Sequence, residues 1–167
     1  MIERGLEGLL GDGISQKIEQ LHDIGVVVEL EMHAASLLLP RRHFAAHPEW
    51  FRMNERSERT DDYNFCVSSR DALTMVSEQT QRLARLFTPV SHKYHFWMDD
   101  QPDLRCHCDR CGSLTPADAA LVTYNAVLAG LKAVDSEAKQ CYLAYHDANA
   151  VPHAVWPEPG IFWSLHP

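Results

Sequence analysis

The sequence lacks a hydrophobic run long enough to cross a membrane, and its start lacks a basic segment followed by an apolar one. We therefore expect a cytoplasmic location for the chain as it stands, although a parent protein with a signal further upstream would be exported. Positive charge is scarce too, since the formal net charge is −8. This balance excludes nucleic acid as a partner, because phosphates require a basic face, and it disfavours anionic membranes.

No internal repeat, low-complexity segment or linker divides the chain, so its 167 residues predict a single domain over 1–167. A complete (β/α)8 barrel usually needs about 250 residues. The pattern predicts strands at 26–33, 93–99, 140–146 and 160–166, and helices at 14–23, 69–87 and 116–134. Such alternation is typical of a parallel sheet with helical crossovers. The intervening segment 34–68 is predicted as a long loop, which is usually functional or mobile.

Each predicted strand has one apolar face and one face that carries acids, histidines or aromatic rings. The second face holds Glu29, Glu31, His33, His95, Trp97, Asp99, Tyr142, His146 and His166. A barrel explains this pattern, because its outer face meets helices and its inner face leads to an active site at the C-terminal strand ends. We therefore predict an α/β fold, a partial (β/α)8 TIM-type barrel of about four βα units. An antiparallel sheet with one solvated face is the alternative.

The run HFWMDD places two carboxylates, Asp99 and Asp100, at the end of a predicted strand. Adjacent acids can divide the work: one stays ionised and orients substrate, while the other keeps a raised pKa and acts as general acid. A solvated turn or a helix-capping pair is the structural alternative.

Three of the five cysteines, Cys106, Cys108 and Cys111, form a C-x-C-x2-C motif. Thiolates at this spacing are typical metal ligands, and a closed tetrahedral zinc site needs a fourth. We favour Cys66 for that position, because His107 sits between two ligands. Such a zinc ion would be structural. Reduced cysteines without metal and an iron–sulfur or redox role are the alternatives, and Cys141 is predicted as a core residue.

The polar face also suggests substrate-binding groups. His33, His95 and His146 lie in register on it with Glu29, and Trp97 and Tyr142 could stack on sugar rings. Packing in the core or on the surface is the ordinary role of such residues. A catalytic metal held by these histidines and acids is a further alternative, although no H-x-x-x-H pair is present on a helix.

The motifs EMHAASLLLP, HPEWF, NFCVSS, CHCDRC and AYHD occur in this order between Leu21 and Pro167. In these motifs the chain resembles the bacterial domain of unknown function 4838 family, which has a glycosidase-like barrel similar to alpha-glucuronidases and beta-hexosaminidases. The resemblance implies a barrel with a carbohydrate-related role, and it groups Cys66 with the other three cysteines. The WMDD segment departs from the family, where a single strand-end Asp is expected, and is similar to hexosaminidases and O-GlcNAcase-like enzymes. By that likeness Asp99 orients the substrate and Asp100 is the general acid.

The same resemblance places this chain at about the third to sixth strands of a barrel. The chain is then a fragment, a half-barrel that pairs as a homodimer, or a remnant that needs the missing remainder of the barrel. We predict a glycoside hydrolase-like domain that acts on a carbohydrate through Asp99 and Asp100, or through one of them facing Glu29 or Glu31. A non-catalytic carbohydrate-binding or zinc-stabilised fragment is the second hypothesis, and a zinc-dependent hydrolase the third.

Overall fold

The computed structural model describes residues 12–29, 31–99 and 101–165. Four strands in these ranges form one sheet in the order β1-β2-β3-β4, and all neighbouring pairs are parallel. The strands are β1 (Glu31–His33), β2 (Lys93–Trp97), β3 (Lys139–Ala144) and β4 (Ile161–Leu165). The predicted mixed α/β fold with a parallel sheet is therefore confirmed, and the antiparallel alternative is wrong.

The first strand is shorter than its sequence pattern predicts. Residues 26–29 have no regular secondary structure, and Leu30 lies outside the described residues. Residues 31–33 pair with residues 95–97 of β2. Only this end of the predicted strand 26–33 has a hydrogen-bonded neighbour, so only this end forms a strand.

The helices of the described chain are α1 (Asp12–Asp23), α2 (Ala35–Leu38), α3 (Arg70–Leu86) and α4 (Pro116–Lys132). Both long helices begin with a side-chain cap. The Ser69 side chain accepts a hydrogen bond from the Ala72 amide at the start of α3, and Thr115 and Asp118 form a reciprocal capping box at the start of α4. None of the helices within the described ranges is both long and apolar enough to span a bilayer.

Helical crossovers link β1 to β2 through α3, and β2 to β3 through α4. The third crossover, residues 145–160, has no α-helix and contains a 3-10 helix at His146–Asn149. Prolines at 152, 157 and 159 explain this, because proline lacks the amide that a helix interior requires. The sequence predicts about four βα units. In the described chain, two crossovers between strands contain an α-helix and the third does not.

Helices α3 and α4 pack closely against each other, and α4 also packs on β3. Gly130 makes this approach possible, because a Cβ atom there would lie 2.4 Å from the Ser77 carbonyl oxygen of α3. Val76, Leu131, Tyr94 and Phe96 belong to one buried cluster between these helices and the sheet. One sheet face is therefore the core face, as the alternation of β2 predicts.

The opposite sheet face carries the polar side chains of β1 and β2, but β3 contributes to it differently from the prediction. The register pairs Tyr94 with Gln140, and Tyr142 lies on the core face. Tyr142 is fully buried, its ring lies 5.2 Å from that of Tyr124, and its hydroxyl donates to the Ala148 carbonyl at 2.9 Å. The expected position of Tyr142 on the polar face is therefore wrong. Because its hydroxyl finds a carbonyl partner, the side chain is buried at little cost.

The long loop predicted at 34–68 is more ordered than that description implies. It contains α2 and 3-10 helices at Arg41–His43 and Pro48–Trp50. Antiparallel bridges join Phe51 to Phe65 and Met53 to Arg59. The loop therefore folds back on itself and brings Cys66 towards the connection that follows β2.

Candidate functional site

Four buried cysteines from two loops come together beside the carboxyl ends of the strands. This cysteine cluster consists of Cys66, Cys106, Cys108 and Cys111, whose sulfur atoms all lie within 4.8 Å of one another. The Cys66 sulfur lies 3.7 Å from that of Cys108 and 3.8 Å from that of Cys111. Metal–sulfur bonds of about 2.3 Å in a tetrahedron give sulfur–sulfur edges of about 3.8 Å. The cluster therefore has the size and donor set of a four-thiolate metal site, and it contains the four residues predicted from the sequence.

Hydrogen-bond donors surround the sulfurs of the cysteine cluster. The Met53 amide donates to the Cys106 sulfur at 3.3 Å, and the Ser68 hydroxyl lies 3.2 Å from the Cys66 sulfur. A guanidinium nitrogen of Arg59 donates to the Cys106 sulfur at 3.6 Å. Burial would lower the pKa of Arg59, but its interactions with Cys66 and Cys106 raise it above the ordinary value. These donors stabilise thiolates, the form that binds metals.

The thiols of the cysteine cluster also act on one another. Hydrogen bonds from Cys106 and Cys111 hold the pKa of Cys66 well below its ordinary value. The same contacts with Cys106 and Cys66 raise the pKa of Cys111. Four sulfurs this close cannot all be ionised without a cation between them, because like charges at short range repel. The arrangement therefore fits a positively charged occupant.

His107 does not complete the cluster. Its Nε2 lies 2.8 Å from the carboxylate of Asp103, and its backbone amide donates to the Met53 carbonyl at 2.8 Å. The His107 amide and the Cys106 sulfur thus both fasten the loop after β2 to Met53 of the first loop. The preference for Cys66 over His107 as the fourth ligand agrees with this geometry.

A partly open cleft of about 80 Å³ lies at the carboxyl ends of β2 and β3. We call it the strand-end cleft. Its apolar floor includes Met98, Leu104, Ala120 and Leu143. Its polar rim includes Asn64, Asp99, Gln101, Arg105, His146 and Asp147. Apolar walls with a few converging polar groups are typical of small-molecule sites.

Asp99 is held in the strand-end cleft by neighbours from the first loop. The Asn64 side chain donates to the Asp99 carbonyl at 3.0 Å and accepts from the Asp99 amide at 2.9 Å. The Arg41 guanidinium lies 3.9 Å from the Asp99 carboxylate. The two hydrogen bonds to Asn64 fix the backbone of Asp99, and Arg41 places a positive charge beside its carboxylate.

Asp147 lines the same cleft, and the sequence reasoning missed it as a functional residue. Its carboxylate accepts from the Asp103 amide at 2.6 Å, which ties the loop after β3 to the loop after β2. The preceding residue, His146, has a positive φ of 44°. Non-glycine residues in this conformation are uncommon and cluster at functional sites. The signal was present in the run AYHD, where an acid follows a strand-end histidine.

The other predicted polar residues lie on the sheet face opposite the helices, which we call the open face: Glu29, Glu31, His33, His95 and Trp97. Register brings Glu31 beside His95, and His33 beside Trp97. The His33 and Trp97 rings contact each other edge-on at 5.9 Å. None of these five lines the strand-end cleft.

Apart from Tyr142, which lies in the core, the predicted catalytic and substrate-binding residues within the described ranges are divided between two places. Asp99 and His146 meet in the strand-end cleft, whereas Glu29, Glu31, His33, His95 and Trp97 occupy the open face. Asp100 and His166 lie outside the described residues. Cys141, predicted in the core, is fully buried, and its thiol interacts with Trp97 of the open face.

Comparison with family models, with curated proteins and with solved structures gave no match to this chain.

Proposed function

We propose that this chain is a zinc-stabilised part of a glycosidase-like (β/α)8 barrel, which binds a carbohydrate in the strand-end cleft and cleaves a glycosidic bond there. The observation that carries the proposal is the position of Asp99 in a cleft at the carboxyl edge of a parallel sheet. Barrel enzymes have their active sites at this edge. Four parallel strands that are neighbours in sequence order suit one wall of such a barrel.

The composition of the cleft suits a sugar. Met98 and Leu143 provide an apolar floor for the carbon face of a ring, while Asn64 and Asp147 on the rim can bind hydroxyl groups. The sequence motifs that resemble the domain of unknown function 4838 family would imply the same substrate class. A protein partner is part of the proposal as well. Trp163 and Leu165 of the edge strand β4 are 43% and 74% exposed, and the remainder of a barrel or a second copy would cover them.

Asp99 is suited to the role of the ionised carboxylate, because Arg41 lies beside it. In this proposal it orients the substrate and stabilises positive charge near the reacting carbon. The proton donor is then Asp100, as the hexosaminidase likeness implies, or Asp147, which shares the cleft with Asp99. Glu31 lies on the open face and is a weaker choice, since it does not line the cleft.

The metal in this proposal is a structural zinc ion held by Cys66, Cys106, Cys108 and Cys111. Four cysteine ligands leave no open position for substrate, so the ion stabilises the loops and takes no part in the reaction. The site fastens the loop that carries Asn64 to the loop that follows Asp99. A cytoplasmic location belongs to the same proposal, because thiols that bind zinc must stay reduced.

Turnover and binding of a panel of 4-nitrophenyl glycosides and oligosaccharides test the proposal. Asp99→Asn and Asp147→Asn keep the size of each side chain and remove its charge. We expect Asp99→Asn to lose at least about 100-fold in turnover while sugar affinity changes little, and an equal loss in Asp147→Asn would select Asp147 over Asp100 as the proton donor. Asp109→Asn is the matched control, because Asp109 is exposed in the cysteine-rich loop outside the cleft. Absence of both binding and turnover in the unmodified protein would refute a carbohydrate role.

A carbohydrate-binding module without turnover is the second candidate. The positions of the acidic residues favour this function, because Glu29 and Glu31 do not line the cleft that contains Asp99. Sugar binding that survives in every acid variant, with no product from any glycoside, would select this function over hydrolysis.

A further inference from the structure

His95 lies on the open face, away from both the cysteine cluster and the strand-end cleft. Its side chain is 9% exposed, and its Nε2 lies 2.8 Å from a carboxylate oxygen of Glu29. The rings of Trp97 and Phe162 contact the imidazole edge-on at 5.9 and 5.6 Å. The orientation of the His95 ring is therefore fixed by one hydrogen bond and two aromatic neighbours.

The contact with Glu29 determines which His95 nitrogen carries the lone pair. Burial would raise the pKa of Glu29, but hydrogen bonds with His95 and Ser91 lower it, so the carboxylate is ionised. With the Glu29 carboxylate as acceptor of a hydrogen bond from Nε2–H, the tautomer that this contact favours has its lone pair on Nδ1. Within the part of the chain that the structure describes, this buried Nδ1 has no hydrogen-bond partner. Such an orphan atom is costly unless something binds it.

Glu31 faces the same nitrogen. Its Oε1 lies 3.9 Å from Nδ1, too far for a hydrogen bond, and its side chain is 60% exposed and able to move. A metal ion with bonds of about 2.1 Å to one imidazole nitrogen and one carboxylate oxygen holds those atoms about 3.0–3.4 Å apart. A small rotation of the Glu31 side chain closes the difference.

We propose that His95 Nδ1 and Glu31 bind a divalent transition-metal ion on the open face, separate from the ion of the cysteine cluster. Glu29 is the positioning residue, because a carboxylate on the far nitrogen of a ligating histidine orients the ring and increases its basicity. Imidazole and carboxylate together suit ions such as Zn²⁺ and Co²⁺. Water molecules take the remaining coordination positions. The Glu29 and Glu31 charges attract the cation, and Lys93, 3.9 Å from Glu29, is the cation facing them.

Cobalt titration of the full chain tests this site after the cysteine cluster has been saturated with Zn²⁺. We expect a further equivalent of Co²⁺ to bind with weak visible d–d bands and without the thiolate charge-transfer absorption that cysteine ligands produce. Glu31→Gln should weaken this binding at least about 10-fold, and His95→Gln should abolish it. Glu29→Gln should weaken it by about 10–100-fold while leaving the spectrum of bound cobalt unchanged, as expected of a group that only orients a ligand.

Two controls make the outcome decisive. Glu78→Gln removes an exposed carboxylate on α3 and should leave cobalt binding unchanged. Asp103→Asn alters the group formed by Glu55, Asp103 and His107, whose ligand atoms also lie close enough together to hold an ion. The proposal is overturned if no second ion binds, if Glu31→Gln and His95→Gln bind cobalt like the unmodified protein, or if Asp103→Asn alone removes the binding. Because the readout is metal binding, it is independent of whether any sugar is cleaved.

Discussion

Two long connections of this molecule are fixed in opposite ways. The loop 34–68 is joined to the loop after β2 by the four sulfurs of the cysteine cluster. The crossover 145–160 is fastened to the start of α4 by one carboxylate, that of Asp118. One Asp118 oxygen accepts from the amides of His153, Ala154 and Val155 at 2.8, 2.8 and 3.2 Å, and the other accepts from Thr115.

The cysteine cluster and the Asp118 hydrogen bonds differ in whether they need a bound ion. The sulfurs of the cysteine cluster repel one another when ionised, so they hold the loops firmly only around a cation. Asp118 is 1% exposed, but its charge is offset by backbone amides and by the N-terminus of α4. We therefore predict that a metal in the cysteine cluster would add to the hydrogen bonds between the first two loops, whereas the crossover is held by the chain alone.

Of the changes proposed here, metal removal should reduce the stability of the fold the most. Structural zinc sites have apparent binding energies of about 10–16 kcal/mol, so chelation should destabilise the fold by several kcal/mol and lower the melting temperature by about 10–20 °C. Cys66→Ser should have a similar effect. Calorimetry with metal analysis measures both quantities.

Cys141→Ala is the matched control for these experiments, since Cys141 is a buried cysteine outside the cysteine cluster. It should retain a full equivalent of metal. If a protein stripped of metal melts at the same temperature as the loaded one, the cysteines are reduced core residues and the comparison fails.

Asp118→Ala should have the second largest effect. It leaves three backbone amides of the crossover without their acceptor and removes the capping box of α4. Hydrogen bonds to a charged group contribute about 1.5–3 kcal/mol each, though not additively, so we expect the free energy of unfolding in urea to fall by about 3–4 kcal/mol. Metal content should be unchanged.

Asp118→Asn keeps an acceptor of the same shape and serves as the control, with a loss of about half that size. Equal losses for the two variants would mean that the amide contacts contribute little. Faster hydrogen exchange at His153, Ala154 and Val155 in Asp118→Ala would locate the damage in the crossover.

The capping role of Asp118 was readable from the sequence, but its role in the crossover was not. The order Thr115-Pro116-Ala117-Asp118 is a local signal, because every partner lies within one helical turn. His153 lies 35 positions away from Asp118, and no local sequence pattern predicts that contact. The cysteine cluster was predictable despite a similar separation, since few residue types bind metals and an unpaired C-x-C-x2-C motif requires a fourth donor.

The prediction of which strand residues share the polar face was also limited by what local sequence patterns contain. Period-two alternation assigns residues to two faces but does not say which face of an apolar strand meets the helices. In β2 the polar His95 decides the question. In β3 both faces are largely apolar, and the register with β2 places Tyr142 in the core. The division of the polar residues between cleft and open face depends on loop paths that periodicity does not encode.

Acid should disrupt the cysteine cluster and the Asp118 hydrogen bonds at different pH values. Metal ligands must lose their protons to bind, so we expect falling pH to release a metal bound by the cysteine cluster. Burial would raise the pKa of Asp118, but hydrogen bonds from Thr115 and the amides of Ala154 and His153 lower it from 3.8 to about 2. Because the folded pKa is the lower one, the contribution of Asp118 is complete above pH 3.8 and is lost as the pH falls towards 2.

We therefore expect metal release, followed with a colorimetric chelator, at a higher pH than the loss of protection at His153 and Ala154, followed by hydrogen exchange. Asp118→Asn should abolish the second transition and leave the first in place. Simultaneous loss of metal and amide protection would show that the two connections unfold as one unit.

The smallest expected effect concerns the far part of the crossover. Asn125 of α4 donates to the Trp156 carbonyl at 2.8 Å and accepts from the Glu158 amide at 3.0 Å, both near the surface. Because water can replace both partners there, Asn125→Ala should lower the free energy of unfolding by only about 1 kcal/mol. Hydrogen exchange at Glu158 should nevertheless accelerate, with His153 unaffected. Gln81→Ala on α3 is a control without contact to the crossover. If Asn125→Ala matched Asp118→Ala in cost, the crossover would be fastened along its whole length rather than at Asp118.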